Sequence, residues 1–281
     1  MSDPLQPAHP SADASDDRLG VVVPTLNCAA FLSETLASLR RVPIVSQIVV
    51  ADSCSTDGSL DIAKAAGVEI LHDAPAGLYP AVNAGMRRLS TPWITYLNGD
   101  DVFQPHGISR LFAEREGHDV LYGPVDFIAQ DGGFLHCWHS ARPCDVLPLF
   151  RSGVSAVLQQ GTLFRRSLFQ SLGGFSERWR LVSDADFWWR AAEAGARFHR
   201  ITHPPVAGFR MHAGQLSQIH KTRMDEEFLA MAASHAPKAG ALTSWWRKNR
   251  YRAANFRGYV VRMLRQADMS GRVLLRGSYD L

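Results

Sequence analysis

The chain has 281 residues, 46% of them hydrophobic and 20% charged, with a formal net charge of +3; this suits one large α/β domain plus an appendage and is ordinary for a soluble globular protein. Its four cysteines (Cys28, Cys54, Cys137, Cys144) lack CxxC spacing, which argues against a zinc site or a disulfide framework. No stretch approaches the ~18 apolar residues needed to span a bilayer, and no apolar signal core is present, so a cytoplasmic location is expected.

In chain order, residues 1–17 are polar and proline-rich and read as a disordered leader. "LGVVVPTLN" (19–27) is a β-branched run stopped by Pro24 and Asn27, as a buried parallel strand would be. "AAFLSETLASLRRV" spaces Phe31, Leu32, Thr35, Leu36 and Leu39 for a helix. "SQIVVADS" predicts a second strand, "DGSLDIAKAAG" a second helix closed by Gly67, and "VEILHD" a third strand. "LYPAVNAGMRRLS" is helix-like, and "PWITYLNGDD" is a fourth strand that ends in acids. This alternation predicts a doubly wound, mostly parallel, Rossmann-like α/β sheet. Further on, a helix at "GISRLFAEREG", strand-like pieces around "QDGG", helices at "SLFQSLGGF" and "DADFWWRAAEAG", and an extended "RFHRITHPPVAGFRMH" follow. Residues 222–265 are mostly helical by pattern. From residue 241 onward nine Arg and Lys face only Asp268 and Asp280, so a mildly acidic body carries a basic tail.

Three acidic clusters stand where strands or turns hand over to helices. Asp52 and Asp57 follow the second strand, "NGDD" (98–101) follows the fourth, and Asp184 and Asp186 open a helix. In open α/β sheets ligands bind beyond the carboxyl ends of the strands. Asp at a helix start is often only a cap, but adjacent carboxylates at a strand end repel each other unless a cation or many donors offset them. Mg²⁺ or Mn²⁺, bridging to a diphosphate, fits "NGDD". Neither G-x-G-x-x-G nor a P-loop follows the first strand, which disfavours a dinucleotide fold of the NAD type.

Taken together, "VVVPTLN", "IVVADSCSTDGS", "AGLYPAVNAG", "WITYLNGDDVF", "QQGTLFRRSLFQSLGGF", "SDADFWWRAAEAG" and "FRMHAGQLS" resemble, in order, the segments of the family 2 glycosyltransferases, inverting enzymes of the GT-A fold. The resemblance covers roughly residues 18–217 and implies a GT-A domain over 18–220 with a helical, basic extension over 221–281. It implies that Pro24, Thr25, Asn27, Asp52, Tyr79, Asn83 and Asp100 bind a nucleotide sugar, UDP-sugars being favoured. Asp100, Asp101 and His212 would hold Mn²⁺ or Mg²⁺. Asp184 would be the base that takes the acceptor's proton, with Asp186 the second choice. Trp188, Trp189 and Gln160 are candidates for the acceptor site, core packing being the main competing reading of the tryptophans.

The implied reaction moves a sugar to a glycan or lipid-linked saccharide, in cell-surface polysaccharide synthesis. A sugar nucleotidyltransferase and a non-catalytic nucleotide- or glycan-binding protein are the alternatives. No nucleic-acid partner is expected, and a homo-oligomer is left open. The tail's mixture of aromatic, aliphatic and Arg residues suits peripheral contact with the inner face of the plasma membrane, packing on the body or a subunit contact.

Overall fold

The structure, a computed structural model, describes residues 17–235 and 240–260; the leader through residue 16 and the tail beyond residue 260 lie outside the described residues. β1 (Leu19–Thr25) is buried throughout because helices cover both of its faces. Val21 and Val23 join the core that includes Leu32, Leu36 and Leu39 of α1 (Ala29–Arg40), while Val22 faces the opposite core with Tyr79 and Val82. This two-sided burial explains why the strand reads as a continuous apolar run.

β2 (Val45–Asp52), α2 (Ser59–Ala65), β3 (Glu69–Leu71), α3 (Leu78–Met86) and β4 (Trp93–Tyr96) complete the predicted parallel half. α3 lies close on β1 because Gly85 has no side chain: a Cβ there would stand 2.5 Å from Val22 Cγ1. The chain continues through β5 (Val102–Phe103), α4 (Pro105–Ala113), β6 (Val120–Tyr122) and the antiparallel pair β7 (Val125–Ile128) and β8 (Phe134–Trp138). Then come α5 (Val146–Phe150), β9 (Thr162–Arg165), α6 (Arg166–Ser171), α7 (Ser183–Glu193), β10 (Phe198–Arg200) and β11 (Ala207–Arg210). α8 (Leu216–Ile219), α9 (Lys221–His235) and α10 (Ala241–Ala254) follow.

Seven strands form the main sheet in the order β10-β6-β9-β4-β1-β2-β3. Only β9 runs antiparallel to its neighbours, so the carboxyl ends of β1, β2, β4, β6 and β10 share one edge. A second sheet, β5-β11-β7-β8, was not foreseen from the sequence. Its β11 crosses back to pair with β5, directly after "NGDD", and thereby carries Arg210 and His212 to the edge where Asp100 lies.

Candidate active site

Thr25 and Asp52 end β1 and β2 side by side in register. The two following loops are stitched together. Asn27 Oδ1 accepts from the Thr56 N–H (2.9 Å), the Ser55 hydroxyl oxygen accepts from the Asn27 N–H (2.9 Å), and Asp57 accepts from the Ala29 N–H (2.8 Å) and the Ser59 hydroxyl (2.6 Å). Asn27 (φ 54°) and Cys54 (φ 66°) both turn through the left-handed region, which Asn tolerates better than most residues. Asp52 is 1% exposed; its Oδ2 accepts from the Ser55 N–H (2.9 Å), and its buried Oδ1 has no hydrogen-bond partner. A buried carboxylate oxygen without a donor is costly unless a ligand supplies one.

The "NGDD" loop is held from behind. The Thr35 hydroxyl on α1 lies 3.1 Å from the Gly99 carbonyl and 2.8 Å from that of Asp101. Asp101 is 0% exposed, and Oδ1 takes the Arg210 N–H (2.8 Å) while Oδ2 takes the Asn98 amide (3.3 Å). Gln160 also bonds it, and burial beside Asp100 pushes its carboxyl well above the usual carboxylate range. Arg210, 1% exposed, sends its guanidinium to the carbonyls of Asp100 (2.8 Å) and Gln130 (2.9 Å) and to the Glu34 carboxylate (2.7 Å). In front, Asp100 Oδ2 and His212 Nε2 lie 2.9 Å apart, with side chains 17% and 14% exposed. Cys28 reports the charge gathered here: burial chiefly, with the Asp100, Asp57 and Asp52 carboxylates adding, pushes its thiol up to about 11.

One carboxylate and one imidazole form a donor set that Mn²⁺ and Mg²⁺ accept. No group of three metal-ligating side chains exists among the described residues. The Asp100–His212 pair therefore fits a cation whose other positions go to oxygens from outside the chain.

The third acidic cluster resolves into unlike members. Asp186 is 4% exposed and saturated: Arg190 Nε at 2.7 Å, His235 Nε2 at 2.9 Å and Trp179 Nε1 at 3.1 Å surround it. Asp184, in the first turn of α7 and only partly buried, receives the Tyr79 hydroxyl at 2.8 Å. Burial raises the Asp184 pKa above the ordinary carboxylate value, while the Tyr79 hydroxyl and the Ala185 N–H hold it back. Burial and the charge of Asp184 keep the Tyr79 hydroxyl well above the usual phenol range, so it remains a donor. Tyr96, at the end of β4, senses the charges of both Asp184 and Asp101. The carboxylate on α7 and the "NGDD" loop therefore flank the same strand end.

The Glycosyl transferase family 2 profile matches residues 20–173, over half of the chain. The chain belongs to this family. It is 32% identical over 220 residues to the PGL/p-HBAD biosynthesis glycosyltransferase of Mycobacterium tuberculosis, covering 74% of this chain and 81% of that one. Its fold is that of S. aureus TarS solved with UDP-GlcNAc (TM-score 0.55, 18% identity, 78% of this chain and 73% of that one). It also matches the mannosyltransferase PcManGT of Pyrobaculum calidifontis, solved with GDP-Man and Mn²⁺ (TM-score 0.57, 19% identity, 91% and 76%). Family membership carries the GT-A reading of the sheet and sets aside the nucleotidyltransferase alternative.

Within this glycosyltransferase, several expected site residues have other work. Trp188 is 0% exposed and packs edge-on against Phe164 and Phe187; Trp189, 1% exposed, stacks between Phe150 and His235. Neither can offer a ring to an acceptor, so the core reading holds for both. The Asn83 amide clamps the backbone of Phe175 at both ends (2.8 and 3.0 Å). Asp101, expected on the metal, is buried behind Asp100 and supports the loop, and Gln160 bonds it. Asn27 is exposed and ties loops together. Pro24 and Thr25 stay buried at the strand end, with the Thr25 hydroxyl on the Val23 carbonyl (3.2 Å).

Sequence reasoning missed Arg210, although it stands inside the quoted "FRMH", and it missed Thr35, which the helix pattern hides. The helical pattern over 222–265 announced α9, but not its part here: its Glu227 accepts the N–H groups of Arg180 (2.7 Å) and Leu181 (2.6 Å) just before α7. Met231 of α9 is fully buried in the core. No local motif marks either residue.

Proposed function

We propose that this glycosyltransferase is an inverting enzyme. It takes a sugar from a nucleoside-diphosphate donor, UDP-sugars being favoured, and moves it to a hydroxyl of a glycan or lipid-linked saccharide. The observation that carries the reading is the contrast between the two acids of α7: Asp186 is saturated and buried, whereas Asp184 reaches solvent, carries a raised pKa and holds one oriented donor. A base must be within ~3 Å of the proton it removes and have a pKa nearer the working pH than that of a free carboxylate.

In this reading the donor's base docks at the Thr25–Asp52 strand ends, where Asp52 Oδ1 accepts an imide N–H of the kind uracil carries. Asp100 and His212 are the residues that would hold Mn²⁺ or Mg²⁺, which supplies positive charge against the diphosphate. The acceptor oxygen bonds to the anomeric carbon as the bond from that carbon to the diphosphate oxygen breaks. The leaving diphosphate keeps the electron pair, and the acceptor's proton passes to Asp184. Tyr79 orients the carboxylate, and the saturated pair Asp186–Arg190 fixes the helix that carries it. Complexes of the fold relatives with UDP-GlcNAc, GDP-Man and UDP with Mn²⁺ support a nucleotide-sugar donor and a divalent cation.

The test is thermal unfolding against UDP, GDP and dTDP, each with and without Mn²⁺. One nucleotide should raise the midpoint, and only with the metal; no shift with any of them would overturn the donor assignment. A second expectation concerns pH. Asp184 must be ionised to accept a proton, so activity should fall as pH drops through its raised pKa. Tyr79→Phe removes a donor to the ionised form and should move this acid limb to higher pH, with kcat suffering more in mildly acid than in alkaline buffer. An unmoved limb in the pH–kcat profile would separate Tyr79 from the base.

A further inference from the structure

α10 covers a cavity of about 260 Å³ that is lined by four arginines, Arg142, Arg200, Arg247 and Arg250, and by one acid, Asp145. Asp145 is already shared between Arg142 (2.8 Å) and Arg250 (2.6 Å). Arg200 donates to a neutral carbonyl, that of Ser140 (2.7 Å). The cavity therefore keeps a strong excess of positive charge that no described partner cancels within it. It is anchored rather than a loose patch. Asn255 accepts from the His139 N–H (2.8 Å) and donates to the His139 carbonyl (3.0 Å), and buried Tyr251 accepts from Trp138 Nε1 (3.0 Å).

The same helix turns a different face to solvent. Trp245 is 56% exposed, Trp246 64% and Leu242 72%, with the two indoles edge-on at 5.3 Å. At 100° per residue these three share one stripe, and Arg250 and Arg252 fall on its two borders. An apolar stripe with tryptophans and basic borders is the pattern of a helix that lies in a membrane interface. No helix among the described residues is long and apolar enough to cross a bilayer. Arg200, which lines the cavity, is the last residue of β10.

We propose that α10 and the arginine cavity beneath it form a docking surface for an anionic bilayer, the tryptophan stripe entering the interface and the cavity receiving a lipid phosphate. The proposal does not depend on the base or the donor assigned above.

The full-length chain is sedimented with vesicles of phosphatidylcholine alone and of equimolar phosphatidylcholine and phosphatidylglycerol. It should pellet with the anionic vesicles only, and high salt should release it. Arg247→Glu should lower the partition coefficient about thirtyfold, from the change of two charges at the surface. The double substitution Trp245→Ala/Trp246→Ala, at exposed positions, should lower it more than tenfold with the unfolding midpoint unchanged. Equal binding to neutral vesicles, no binding to anionic ones, or binding untouched by both variants would each overturn the proposal. So would a midpoint raised by inorganic pyrophosphate, and lost in Arg247→Glu, without sedimentation, which would mark the cavity as a site for a free anion.

Discussion

Asp184→Asn should lower kcat by about 10²- to 10⁴-fold, the usual contribution of a positioned base, while leaving the nucleotide-induced rise in unfolding midpoint intact. The substitution keeps the shape of the side chain and an oxygen for the Tyr79 hydroxyl, so it removes basicity and little else. The companion Asp186→Asn should do the reverse. Its carboxylate is wrapped by Arg190, His235 and Trp179, and weakening charge-assisted bonds at a 4% exposed site costs about 2 kcal/mol of stability. Steady-state kinetics and urea unfolding on the two variants separate the roles. Full kcat in Asp184→Asn would overturn its assignment as the base.

Asp100→Asn should abolish the metal-dependent nucleotide shift and cut kcat/KM by roughly a hundredfold, about 3 kcal/mol of lost charge stabilisation. Its neighbour is the control. Asp101→Asn cannot accept as well from the Arg210 N–H and sits at 0% exposure, so its effect should appear in the unfolding midpoint before it appears in the nucleotide shift. Two adjacent aspartates then report on two different things, ligand binding in front and loop support behind. A nucleotide shift that survives Asp100→Asn would remove the Asp100–His212 pair from the donor site.

How far the sequence speaks depends on what each residue answers to. The parallel half was legible because β1, β2 and β4 obey local rules: β-branched runs, turn residues and helical spacing. The place of β11 was not: its stretch reads as extended, but nothing in four residues announces that they pair with β7 and, through Ala207 and Gly208, with β5. The acids of "NGDD" could be found by type and place, but their division of labour could not. Whether Asp100 or Asp101 faces outward is decided by Arg210, which arrives from more than a hundred residues away. Trp188 and Trp189 show the opposite case. Adjacent indoles suit a sugar platform, yet both are swallowed by a cluster of Phe150, Phe164 and Phe187 that only the packing of β9, α5 and α7 assembles. Glu227 and His235 carry no pattern at all, because their partners are backbone N–H groups and a distant carboxylate.

Those two residues also bear on the order in which the molecule can be completed. The strand ends proposed above as the donor edge belong to β1, β2 and β4, all of which precede α9 in the chain. The turn before the base is gripped by Glu227, and the base helix is braced by His235 through Asp186. A chain that folds as it is made can therefore shape the proposed nucleotide edge early, but Asp184, the proposed proton acceptor, reaches its final frame only after α9 has left the ribosome.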